Sequence, residues 1–179
     1  MKKIAYSGIE GCFAHTAAKK MLPDELYVSF GSFKEAYEAV ESGECDTAVL
    51  PVRNSYAGEV KEVSELLEKG ALKIDSTYSL PVVQNLLGIR GSRIGDIRTV
   101  ISQQKALEQC DNYIRERGYK VITAVNTAVA AHEVIERCDM SVAAIAGLET
   151  AARYGLKVLD EKINEKDDNV TTFAALSVQ

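Results

Sequence analysis

Short apolar runs rich in Val, Ile and Ala recur along the chain, each followed by an amphipathic stretch long enough for a helix. This alternation restricts the fold more than any other feature, because strand and helix in repeated succession build an α/β architecture. Strands are predicted over Lys3 to Tyr6, Tyr27 to Phe30, Thr47 to Val52, Thr99 to Ser102, Lys120 to Val125 and Val142 to Ala146. One more is expected within Leu72 to Gly88 and another over Thr171 to Val178. These runs lack a clean in/out alternation, so the sheets are expected to be covered on both faces.

The helices between them carry readable boundaries. Ser32 followed by Glu35 is a capping box opening a helix that Gly43 stops. Val60, Val63, Leu66 and Leu67 form a second apolar face, closed at Gly70. Ala106, Leu107, Cys110, Tyr113 and Ile114 form a third, read as one helix closed at Gly118. Asn126 or Thr127 caps a fourth, and a fifth ends at Gly155. Leu72 to Ile89 is long, extended in character and interrupted by Pro81, which suits a strand leaving one sheet for another. A return crossing near Asn169 to Phe173 then gives one domain of two α/β lobes around a cleft. Roughly residues 1–77 plus 171–179 form lobe 1, and 78–170 form lobe 2.

Composition narrows what such a fold can do. The net charge of -5 leaves no basic block to neutralise phosphates, which argues against nucleic acid as partner. It leaves room for a small anion, which responds to local charge. No apolar run approaches the ~20 residues of a membrane helix, and MKKIAYSG is too short in apolar residues for a secretory signal. A cytoplasmic chain with reduced thiols and no membrane partner is therefore expected. The four cysteines, Cys12, Cys45, Cys110 and Cys138, never form CxxC, and only His15 and His132 accompany them, poor material for a metal site.

In open α/β sheets ligands bind where strands end and helices begin, and polar clusters recur at those places. Gly8 to His15 follows the first strand, with backbone N–H groups that could hold an anion. It is not a dinucleotide fingerprint, since G-x-G-x-x-G is absent. Arg53, Asn54, Ser55 and Gly58 follow the third strand, and Arg53 offers a planar fork for a carboxylate. Ser102, Gln103 and Gln104 open the next helix, with Gln109 two turns in; Asn126 and Thr127 open another; Asn169 to Phe173 start the last strand. Any one alone reads as capping or turn chemistry.

The segments GIEGCFAHTAA, LPVRNSYAGEV, SQQKALEQC, NTAVAA, AAIAGLETAARYGL and NVTTF keep the order and approximate spacing of one family's markers. Those markers are G-P-E-G-T/S-Y/F-S/T-x-x-A-A, V-P-I/V-E-N-S-x-x-G-x-V, S-H-P-Q-x-x-x-Q-C, S-T-A-x-A-A, A-A-I-A/G, Y-G-L and N-x-T-R-F. The chain thus resembles the prephenate dehydratase catalytic domain along nearly its whole length. The resemblance implies two lobes like a type II periplasmic binding protein and a small dianionic substrate of the prephenate type. It implies conversion to phenylpyruvate in phenylalanine biosynthesis, without metal or organic cofactor, because aromatisation drives the reaction. Thr171 matches the hydroxyl-contacting Thr, with Ser102 and Asn54 as further catalytic residues. Arg53, Ser55, Gln109, Asn126, Thr127, Asn169, Thr172, Phe173, Gly11 and Cys12 are expected to bind substrate, with Phe173 packing under the site and Cys110 read as core. Family members form dimers or tetramers, so a homodimer is expected. Typical members append a phenylalanine-sensing ACT domain, for which residue 179 leaves no room, so feedback through one is expected to be absent.

The motifs also depart from the family. Arg53 stands where the family has Glu, Thr172 where it has Arg, and Gln103, Gln104 and Lys105 where it has His-Pro-Gln. Ala14 replaces a hydroxyl residue and Asn126 a Ser. These changes are expected to strike the groups that align Thr171. Two other outcomes follow from that: a prephenate decarboxylase that does not aromatise, or a non-catalytic small-anion sensor.

Overall fold

The structure, a computed structural model, describes residues 1–178. The chain forms two α/β units, Met1–Val82 with the segment from Asp168 onward, and Val83–Asp167. Unit 1 contains β1 (Lys3–Ser7), α1 (Phe13–Met21), β2 (Leu26–Phe30), α2 (Phe33–Glu41), β3 (Thr47–Asn54), β4 (Gly58–Glu59), α3 (Lys61–Lys69) and β5 (Leu72–Pro81). Unit 2 contains β6 (Asn85–Gly88), β7 (Thr99–Ser102), α4 (Gln104–Gln109), α5 (Asp111–Arg117) and β8 (Lys120–Thr123). It continues through α6 (Thr127–Arg137), β9 (Val142–Ala146), α7 (Leu148–Tyr154) and β10 (Lys157–Asp160), after which β11 (Val170–Val178) rejoins unit 1.

The unit 1 sheet has the order β2-β1-β3-β11-β5, with β4 beside β3. β1 runs parallel to β2 and β3, whereas β11 runs antiparallel to β3 and β5. Its central strands β1, β3 and β11 are apolar on both faces, as their unbroken Val, Ile and Ala runs predict, while the edge strand β5 is largely polar and exposed. Ala48, Leu50, Ala174 and Leu176 pack with α2 and α3, while Ile4, Val49, Phe173 and Ala175 pack with α1 on the other side. Unit 2 repeats the device in the order β10-β6-β9-β7-β8. Val100, Ala143 and Ile145 face α4 and α5, and Ile101, Ala144 and Ala146 face α6 and α7. Each fully buried Leu, Ile or Val contributes about 1.5–3 kcal/mol by leaving water.

Helix ends follow the expected chemistry with local variations. Ser32 Oγ accepts from Glu35 N–H at 3.1 Å, while Glu35 Oε2 accepts from Gly31 N–H at 2.8 Å, one residue earlier than the reciprocal box requires. Asn126, not Thr127, caps α6, its Oδ1 accepting from Val129 N–H at 2.9 Å. The third predicted helix is two. Cys110 N–H turns back to Leu107 O, and the residue takes φ -116, ψ 18 between α4 and α5. Its fully buried side chain anchors the break in the core.

The division between the units falls later than 77 and earlier than 171. β5 stays paired with β11 as far as Pro81 opposite Val170, and Val82 N–H donates to Asn169 O at 2.8 Å, the last link before the chain leaves. The stretch read as one strand within Leu72 to Gly88 is therefore two, β5 in unit 1 and β6 in unit 2. β4 and β10 have no counterpart among the predicted strands; both are short and lie outside the apolar runs.

Candidate active site

Register between β3 and β11 decides which polar side chains meet. Thr171 lies opposite Asn54, and Thr172 opposite Arg53. Successive side chains on a strand point to opposite faces, so Asn54 and Thr171 share one face while Arg53 and Thr172 share the other. Asn54 Nδ2 donates to Thr171 Oγ1 at 3.0 Å and to Asn169 Oδ1 at 2.8 Å. Asn54 Oδ1 accepts from the N–H groups of Tyr56 and Ala57 at 3.0 and 3.1 Å, which turns the chain after β3 and locks the amide orientation. With Oγ1 accepting, the Thr171 hydroxyl keeps its own hydrogen for a further acceptor, and an accepted bond strengthens it as a donor. Asn169 is 6% exposed, and its Nδ2 is neither sealed from solvent nor bonded to a protein partner among the described residues.

Ser55 serves this cluster from behind. Its Oγ donates to Asp168 O at 3.1 Å and accepts from Val170 N–H at 2.9 Å, fixing the backbone on both sides of Asn169. That engages the hydroxyl in holding β11 in place, a correction to its expected contact with substrate. Phe173 is 3% exposed in the α1-facing core, beneath Thr171 on the same face; it supports the site and has no surface to offer a ligand.

Arg53 and Thr172 require the larger correction. Arg53 is exposed and has no ion-pair partner among the described residues. Thr172 Oγ1 shares a 3.1 Å hydrogen bond with Ser79 Oγ. Both project from the face opposite Thr171, so neither aligns it. The Glu and Arg of the family motifs fall on these two register-paired positions, so their replacement by Arg53 and Thr172 is a single paired change away from the Asn54–Thr171 face.

The Gly8 to Cys12 turn is not an open anion cradle. Gly8 N–H donates to Phe30 O, Cys12 N–H to Ile9 O, and Gly11 N–H to His15 Nδ1 at 2.9 Å. His15 is buried, stacked on Tyr6 at 4.9 Å and edge-on to Tyr27 at 5.4 Å. Gly8 has φ +113, and a Cβ there would lie 3.0 Å from Cys12 Sγ, so only glycine fits this turn. Burial pushes the Cys12 thiol up, against the lowering effect of backbone N–H groups at the start of α1, among them those of His15 and Ala14. Gly11 therefore shapes the turn rather than donating to a ligand, and Cys12 occupies the place beside the α1 N-terminus.

In unit 2 the expected residues divide differently. Ser102 is fully buried and its Oγ donates to Ile145 O at 2.6 Å, which ties β7 to β9. A hydroxyl with no exposed surface and its hydrogen engaged belongs to the sheet, which removes it from the catalytic set. Asn126 uses its oxygen as the α6 cap, and Thr127 is half-buried in the first turn. Gln109 ends α4 instead of lying within a longer helix, and its Oε1 accepts from Gln84 Nε2 at 3.0 Å. Cys110, beside it, is fully buried, its thiol pushed up to about 12 by burial and by the negative charge of Glu165. Gln84 escaped sequence reasoning although a signal was there: two amides, Gln84 and Asn85, interrupt an otherwise apolar run, and amides buried in such runs need partners.

Fold and site together define a class: a mixed α/β protein of two sheet-centred units, with an Asn–Thr–Asn cluster where β3 meets β11 in the first. The sequence pattern of the family Prephenate dehydratase matches residues 4–179, and the chain belongs to that family. It is 38% identical over 175 residues to arogenate dehydratase/prephenate dehydratase 1 of Arabidopsis thaliana, covering 98% of this chain and 45% of that protein. The chain thus spans about half the length of that relative. The solved prephenate dehydratase of Arthrobacter aurescens, in complex with L-Phe, superposes with TM-score 0.87 at 27% identity, over 99% of this chain and 60% of that one. GqqA, described as a novel type of quorum quenching acylase, superposes with TM-score 0.86 at 29% identity, over 99% and 64%. A periplasmic substrate-binding protein from Coxiella burnetii shares the fold alone, at TM-score 0.55 and 8% identity.

Proposed function

We propose that the chain is the catalytic part of a prephenate dehydratase, a lyase acting on prephenate or its analogue arogenate in phenylalanine biosynthesis. In this reaction the bond from ring carbon to carboxylate breaks and its electron pair enters the ring. The hydroxyl on the opposite carbon leaves, takes a proton and departs as water. Loss of carbon dioxide and water leaves an aromatic ring, which supplies the driving force. The protein's task is to hold an anion and stabilise a poor leaving group.

One observation carries the reading: Asn54 Nδ2 donates to Thr171 Oγ1 and Asn169 Oδ1 at once. Thr171 then donates to the departing hydroxyl. Asn54 fixes the direction of that donor and strengthens it, and Asn169 offers its free Nδ2 to an anionic oxygen. A preorganised donor aimed at developing charge is among the largest single contributions to catalysis. The altered motif positions Arg53 and Thr172 lie on the other strand face, which favours retained dehydration. A cytoplasmic homodimer completes the proposal.

Incubation of the purified chain with prephenate, and separately with arogenate, tests this. Phenylpyruvate, read by the absorbance of its enolate in alkali, is the product expected from prephenate. Carbon dioxide released without an aromatic product would establish the non-aromatising decarboxylase instead. Thermal stabilisation by prephenate with no loss of it would establish a sensor.

A further inference from the structure

Gln84 is 3% exposed and held on three sides. Its N–H donates to Asn164 Oδ1 at 3.0 Å, its carbonyl accepts from Ile163 N–H at 2.9 Å, and its Nε2 donates to Gln109 Oε1 at 3.0 Å. The Gln109 backbone is pinned as well, its carbonyl accepting from Glu165 N–H at 2.9 Å. Glu165 in turn accepts from Asn112 N–H at 2.8 Å, so the residues after β10 clasp the end of α4 and the start of α5. The Gln109 Nε2 group makes no hydrogen bond to the described residues and is not walled off from solvent.

An amide side chain can present either its oxygen or its NH₂ to a ligand, and the two faces differ only by a rotation. A ligand carboxylate accepts from NH₂ and is repelled by C=O. Whatever fixes the rotation therefore fixes the sign of charge the site prefers. We propose that Gln84 is a positioning residue: by donating to Gln109 Oε1, it turns the Gln109 NH₂ outward as a donor for a carboxylate of the substrate. This rests on the reading that the substrate is a prephenate-like anion met by Gln109. Gln84 itself does not touch the ligand.

Gln84→Glu tests the proposal with almost no change of shape. The introduced carboxylate, when ionised, can only accept, so Gln109 must rotate to donate to it and turns its oxygen toward the ligand. KM for prephenate should rise about tenfold, the scale of one charge-assisted hydrogen bond lost, while kcat changes little. Protonation of the introduced carboxyl restores a donor, so KM of this variant should fall back toward the native value as pH is lowered, with no such dependence in the native chain. Gln84→Met removes the donor without adding charge, and its smaller rise in KM should not vary with pH. It also serves as the readable variant if the buried carboxyl prevents folding.

The side-chain amide resonance of ¹⁵N-labelled Gln109 follows its rotation independently of turnover. Calorimetric titration with prephenate reads affinity where no turnover occurs. A Gln109 resonance that moves with pH in Gln84→Glu, together with unchanged affinity, would overturn the proposal. So would a loss of affinity that is pH-independent and equal in Gln84→Met, which marks a structural role. Native chain that binds prephenate without turning it over would overturn the proposed function while leaving the positioning test intact.

Discussion

The two units place the same residue types at strand ends and use them for different purposes. In unit 1, Asn54 donates to both Asn169 and Thr171, and those two still leave donors open. In unit 2, Ser102 is sealed in the sheet, Asn126 is engaged as a helix cap, and Gln109 keeps a free polar group. All of them sit in family motifs, so motif membership does not separate scaffold from chemistry. The direction of each hydrogen bond does, because a hydroxyl that donates into the backbone has no hydrogen left for a ligand.

That contrast can be broken most decisively at Thr171. Thr171→Val keeps the shape and removes the donor, so kcat for phenylpyruvate formation should fall by ~10²–10³ with the melting temperature nearly unchanged. A variant with native kcat would end the role assigned to the unit 1 cluster. Ser102→Ala should do the opposite: a loss of about 1–3 kcal/mol in urea unfolding, the cost of an unmade buried hydrogen bond, with kcat of the folded protein retained. A collapse of kcat at full stability would return Ser102 to the catalytic set.

A subtler test concerns the two faces of β3. Arg53→Ala should change KM within about twofold, as exposed substitutions without partners do, even though its neighbour Asn54 is central. The effect at Cys110 appears only in alkaline solution. Its thiol ionises near 9.0 ordinarily and is pushed up to about 12 in the fold. Between those values the folded chain keeps a proton that the unfolded chain releases, so stability falls as pH rises from about 9 toward 12. Urea unfolding across that window should show a shallower decline in Cys110→Ala than in the native chain.

Much of the architecture was legible because burial on both faces of a sheet leaves unbroken apolar runs. β7 and β9 begin and end where those runs do. β10 and β4 were not, since a short edge strand and a two-residue bridge owe their pairing to neighbours rather than to their own apolarity. The break at Cys110 was hidden because a residue between two short helices keeps the same apolar spacing as one within a single helix. At the site, Asn54, Asn169 and Thr171 could be picked out as polar residues at strand ends. Which face Arg53 takes depends on register, set by pairing with Thr172, far away in the sequence. The engagement of Ser102 with Ile145 likewise arises only once β7 and β9 lie side by side.

The order of the strands also bears on how the molecule is made. β11 lies between β3 and β5, yet among the described strands it comes after all the others in sequence. The strands of unit 2 are contiguous in sequence, so that sheet draws on no strand outside residues 85–160. Unit 1, although begun first, must wait with β3 and β5 unpaired along facing edges until β11 emerges. Its completion is a long-range closure, the kind of step that is slow and leaves sticky strands exposed to other chains. The hydroxyl of Thr171 thus enters the protein at the moment its sheet is sealed, and a chain truncated before that point has neither.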